Sequence, residues 1–140
     1  MSPFAHFLHE LRLKHGIRQT ELAELLGYEQ SYISALEVGI KGPPTPEFLG
    51  KLAQSFDMTA AEQQELAQIA EASQRKLALD TDSPQGLYWM LYELRQHVDK
   101  LHPAQIQMIR DILKLKGSLM HSEPEPLRRI KRRRREEAAM

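Results

Sequence analysis

Residues 17–39, IRQTELAELLGYEQSYISALEVG, decide how the rest of the chain is read. At helical spacing, Leu22, Ala23 and Leu26 share one face of a short helix over 19–26, and Ile33, Leu36 and Glu37 share one face of a second over 30–38. Gly27 stands between them. A glycine just past a helix end adopts the left-handed conformation without a Cβ clash, which reverses the chain and lets the two helices cross steeply. That is helix-turn-helix geometry, although periodicity alone leaves plain core packing about as common an explanation.

The residues narrow the choice. Gln19, then Glu21, Leu22 and Ala23, Leu26 and Gly27, Ile33 and Ser34, Glu37 and Gly39, followed by Pro43 or Pro44, resemble the helix-turn-helix domain of the Cro/C1 phage-repressor (XRE) family. The resemblance spans roughly residues 4–72, about half of the chain. It implies an all-α fold, a five-helix lambda-repressor-like DNA-binding domain whose third helix enters the major groove. It also implies roles: Gln19 would bond a phosphate and brace Gln30, Gln30, Ser31 and Ser34 would reach base edges, and Lys41 would hold the DNA backbone.

With 140 residues, 41% of them hydrophobic, the chain suffices for one substantial domain and a small appendage but not for two large domains. Cysteine is absent, which excludes disulfides, iron–sulfur clusters and thiolate zinc sites. There is no run of about 18 apolar residues, and MSPFAHFLHELR lacks a signal-peptide pattern. The chain therefore reads as cytoplasmic and nucleoid-associated, with no membrane partner.

A net charge of zero hides an uneven distribution: seven Lys/Arg and eleven Asp/Glu over residues 1–80 leave that part at −4, and the remainder carries +4. A negative DNA-binding domain must gather its few cations on one side, and Arg12, Lys14, Arg18 and Lys41 are those nearest the reading helix in sequence. Few phosphate contacts per subunit mean a shallow salt dependence unless the basic tail takes part.

In chain order, Ser2 caps and Pro3 opens a first helix to about His15, with Phe4, Phe7, Leu8 and Leu11 inward and Gly16 ending it. The second helix has Arg18 where a capping Ser or Thr is usual, an omission worth about 0.5–2 kcal/mol. Gln30, Ser31, Tyr32, Ser34 and Ala35 are the outward positions of the third. Gln pairs bidentately with adenine, Ser serves either kind of base, and an exposed alanine touches a thymine methyl. Tyr32 either restricts which sequences fit or lies along the backbone, and Glu29 more readily caps the helix than accepts from a cytosine. DNA backbone contacts are assigned to Gln19, Arg18, Lys41 and Arg12. For Ser34 and Ala35, the plain alternative is close helix packing.

Thr45 and Pro46 start a fourth helix burying Phe48, Leu49, Leu52 and Phe56, and a capping box of Thr59 and Glu62 opens a fifth, with Leu66, Ile69 and Ala70 inward. The DNA-binding domain is thus placed at 1–75 and a linker at 76–83. A helical hairpin follows at 84–116, begun by Ser83 and Pro84 and divided at Pro103. Leu87, Leu91, Leu94, Val98 and Leu101 recur at alternating spacings of four and three, a heptad stripe, and Ile106, Ile109 and Leu113 are apolar beyond the proline. Such a hairpin cannot bury this surface alone, which makes it the expected dimerisation module, packing back onto residues 1–75 being the alternative.

Residues 117–140 read as a flexible basic tail, with seven cations in the eight positions 128–135. A tail of this kind binds a polyanion without sequence specificity, or stays solvated with no effect.

Enzyme chemistry finds no foothold. His6 and His9 lie one helical turn apart, but no third ligand is near in sequence, so neither a metal nor any other cofactor is expected. No phosphate loop, nucleophile elbow or HExxH pattern occurs. The expectation is a sequence-specific, DNA-binding transcriptional regulator, a repressor acting on a palindromic operator in double-stranded DNA as a homodimer. One rival is an antitoxin that autoregulates through the same domain while binding a toxin, and a more remote one is an RNA-binding adaptor using the arginine tail.

Overall fold

The computed structural model describes residues 1–115. The segment 117–140, with its arginine run, lies outside the described residues. The chain divides after Leu77 into two units. The first holds α1 (Pro3–Lys14), α2 (Gln19–Leu26), α3 (Gln30–Val38), α4 (Pro46–Ser55) and α5 (Ala60–Ala72), and the second α6 (Gln85–His97) and α7 (Pro103–Leu113). No strand occurs among the described residues.

Helix starts and stops in the first unit follow from single residues. The Ser2 hydroxyl accepts from Ala5 N at 3.1 Å, and Thr45 accepts from Phe48 N at 3.2 Å, each followed by a proline whose missing N–H is no loss in the first turn. Thr59 accepts from Glu62 N at 3.2 Å, but the return bond differs from the expected capping box: Glu62 takes the Thr59 hydroxyl rather than its backbone N–H. Gly27 (φ 77°) and Gly39 (φ 86°) close α2 and α3 in the left-handed conformation, their N–H groups turned back to carbonyls of the last turn. Arg18 and Glu29 stand at the N-cap positions of α2 and α3 without capping them. The expectation that Glu29 caps α3 fails because its carboxylate sits one methylene farther out than that of an aspartate; it takes the Ser31 hydroxyl at 3.5 Å instead.

These helices enclose one core. Phe4, Leu8, Leu22, Ile33, Leu36, Phe48 and Leu52 are essentially inaccessible, each contributing about 1.5–3 kcal/mol of burial. Phe7, Leu11, Leu49, Phe56 and Ile69, expected inside, are half-buried at the edge of this core. The ring of Phe48 packs within 6.1 Å of Phe4, 5.2 Å of Tyr28 and 5.7 Å of Tyr32, joining α1, the α2–α3 turn and α3. Buried Ser73, just past α5, accepts from Phe4 N at 2.9 Å, tying the last helix of the unit to the first. Helix α3 packs on α1 and α2, which leaves its other side to solvent.

The second unit has a different character: no residue from 78 to 115 is buried. Leu87, Leu91, Leu94 and Leu101 are half-buried, whereas Val98, Ile106, Ile109 and Leu113 are exposed. The expected heptad stripe is also interrupted. Helix α6 stops at His97, Val98–Lys100 forms a 3-10 turn, and Leu101 is extended. Pro103 excludes its predecessor from helical conformation, so the chain must unwind before it rather than at it. His102 then caps α7 through its ring, accepting from Ala104 N at 3.0 Å while Gln105 Oε1 accepts from His102 N at 2.8 Å.

Candidate nucleic-acid interface

At the N-terminal end of α3, Gln30 and Ser31 are exposed, and Ser34 and Ala35, one turn further on, are half-exposed. Exposed Arg18 flanks them at the start of α2, within 4.0 Å of the Glu21 carboxylate, a solvent-facing pair of small energetic consequence. Lys41 is exposed in the loop after α3.

Gln30 is held from within. Its Nε2 donates to Gln19 Oε1 at 2.8 Å, and Gln19 Nε2 donates in turn to Glu37 Oε2. Glu37 is buried near the far end of α3 and receives Arg12 Nε on its other oxygen at 2.7 Å. Arg12 also donates Nη1 to the carbonyl of Ile17 at 3.1 Å, and His9 Nδ1 lies 3.6 Å from Glu37 Oε1. This chain of bonds couples α1, the start of α2 and both ends of α3. Gln30 spends one of its two amide N–H donors on Gln19 and keeps the other, with its Oε1 acceptor, for a base.

Two of the expected contact residues have partners within the protein. Arg12, assigned to the DNA backbone, faces inward with its side chain 15% exposed, because the buried Glu37 carboxylate needs a cation more than a phosphate outside does. Tyr32, expected to restrict the bound sequence or to lie along the backbone, is half-buried like Ser34 and Ala35, stacked on Tyr28 at 5.2 Å and edge-on to Phe48. Burial first, and then the neighbouring Tyr28 phenol, push the Tyr32 hydroxyl above its ordinary value. Its ring instead supports Lys41, whose ammonium sits 5.7 Å from the ring centre. Lys14 also falls away from the reading helix, into a recess of about 410 Å³ shared with Glu10, Glu62 and Glu65.

A helix pair reversing at a left-handed glycine, with the second helix braced from inside and bare along its N-terminal edge, defines a helix-turn-helix DNA-binding domain. Residues 8–63 match the helix-turn-helix family model of Cro/C1 (XRE) type, which supports a DNA-binding transcriptional regulator. No curated protein and no solved structure matches the chain. Among the described residues, no helix is long and apolar enough to cross a membrane.

Proposed function

We propose that the chain is a transcriptional repressor that binds an inverted-repeat operator as a homodimer. Gln30, Ser31, Ser34 and Ala35 read base edges, and Arg18, Gln19 and Lys41 hold phosphates. The observation that carries this is the fixed aim of Gln30: an exposed amide bonded to Gln19 is already ordered for pairing with adenine, so little side-chain entropy is lost on binding.

Dimerisation belongs to residues 84–116, supported by a unit that carries many exposed apolar side chains and, among its described residues, no buried one. Two subunits related by a twofold axis place their α3 helices in successive major grooves, with half-sites about 34 Å apart, and an occupied operator excludes polymerase.

Replacing the reading side chain tests the assignment. In Gln30→Ala, binding to the preferred operator weakens by about 1–3 kcal/mol while binding to unrelated duplex barely changes. Titration of both DNAs with both proteins checks it; equal losses on the two DNAs would show that Gln30 does not read bases.

A further inference from the structure

We infer that Arg75 and Lys76, with Lys41, form a phosphate-binding site beside the reading helix, built from the chain just past α5 and the loop after α3. The inference rests on the DNA-binding reading proposed above and adds a place where the backbone of the duplex is held.

Charge accounting within the first unit points there. Of its seven Lys/Arg, Arg12 is committed to Glu37, Arg18 faces Glu21, and Lys51 lies 3.4 Å from Glu47. Lys14 stands among Glu10, Glu62 and Glu65. The other three, Lys41, Arg75 and Lys76, are exposed and, like Lys14, have no ion pair among the described residues.

Arg75 and Lys76, adjacent in sequence, approach the loop after α3 that Lys41 opens. Arg75 Nη2 lies 3.9 Å from the point where a Cβ on Gly39 would stand, at the C-terminal end of α3. Arg75 and Lys76 line an open recess of about 320 Å³ together with Gly42, Pro43 and Gln74, and Lys41 immediately precedes Gly42. Among the described residues, no acidic side chain lines this recess. Cations gathered on one side of a unit of net charge −3 (seven Lys/Arg against ten Asp/Glu) repel one another and remain there at a cost that a bound polyanion removes. Their setting favours DNA phosphate over a small anion, because the loop is continuous with α3, whose opposite end carries Gln30. The Arg75 guanidinium supplies a planar fork for phosphate oxygens, and Lys41 and Lys76 supply point charges.

A local role for Arg75 is the competing explanation, since a cation at the C-terminal end of α3 complements the helix dipole. Salt dependence separates the two. The full chain and Arg75→Gln/Lys76→Gln are titrated against the selected operator and an unrelated duplex from 50 to 200 mM salt, with thermal midpoints measured on both proteins. The double variant is expected to lose affinity for both DNAs alike, on the order of tenfold, with the slope of log K against log salt shallower by about 1.8 per bound subunit. The charge-preserving Arg75→Lys/Lys76→Arg should keep that slope. Unchanged affinity and slope in the double variant, or a lower thermal midpoint with an unchanged slope, overturns the site while leaving base reading by Gln30 intact. If the full chain binds no duplex at all, both the site and the proposed function fall together.

Discussion

Glu37→Ala is expected to lower the unfolding free energy of the N-terminal domain by about 3–5 kcal/mol, because it leaves a mostly buried guanidinium without its carboxylate. Glu37 is 4% exposed and the Arg12 side chain 15%, so water cannot readily replace the lost partner. Against a total stability of about 5–15 kcal/mol for an ordinary domain, that loss brings the domain near its unfolding threshold. In urea, with a slope of about 1–2 kcal/mol per molar for a unit this small, the midpoint should fall by roughly 2–3 M. The pair need not be stabilising against an apolar replacement, so Arg12→Met/Glu37→Leu should recover most of the stability. Recovery should not extend to operator binding, since Gln19 would still lack the acceptor that orients it toward Gln30. A midpoint in Glu37→Ala within about 0.5 M of the parent would mean that the charge pair is solvated rather than buried.

The second large effect is expected at the other unit. Trp89 is 62% exposed and Ile112 is 60% exposed, so replacing either by aspartate removes little that the single chain itself buries. Across an interface between two copies, the same change puts a carboxylate where apolar surface should be excluded from water. Trp89→Asp/Ile112→Asp should therefore leave the far-ultraviolet spectrum close to that of the parent while raising the dissociation constant of the dimer by a hundredfold or more, at roughly 1.5–3 kcal/mol of apolar burial lost per side chain. Operator affinity should fall with it, because a tethered second domain supplies an avidity of about 10²–10⁴ that separate monomers lack. Sedimentation of the two proteins, paired with operator titration, measures both. A parent chain that sediments as a monomer at micromolar concentration, or a variant that still dimerises, would remove residues 84–116 from the role proposed for them.

Local chemistry made most of the first unit legible in advance. Ser2, Thr45 and Thr59 cap the helices they precede, Gly27 and Gly39 turn the chain in the left-handed conformation that glycine adopts most readily, and apolar spacing selects the core faces of α1, α2 and α3. Resemblance to a family supplied what spacing could not, the bond between Gln19 and Gln30. The failures involve contacts between residues far apart in sequence. Arg12 and Glu37 are 25 positions apart, so nothing near Arg12 announces that its charge is already taken. Tyr32 looked outward by helical position, yet Tyr28 and Phe48 draw its ring into the edge of the core. Arg75 and Lys76 stand at the boundary between the expected domain and its linker, and nothing local announces that they approach the loop after α3. In the second unit the apolar stripe was visible, but the unwinding ahead of Pro103 and the imidazole cap of α7 were not, since histidine is outside the usual set of capping residues.

The central claim, that the N-terminal edge of α3 reads bases in pairs of successive major grooves, is tested most directly by selecting bound fragments from random-sequence DNA with the full chain, in parallel with Gln30→Ala. The predicted result is an enriched inverted repeat whose half-sites are centred about 34 Å apart, one helical turn, with the preference relaxed at one position of each half-site in the variant. A bound pool with no shared motif, or the same motif recovered equally by the parent and Gln30→Ala, would contradict it.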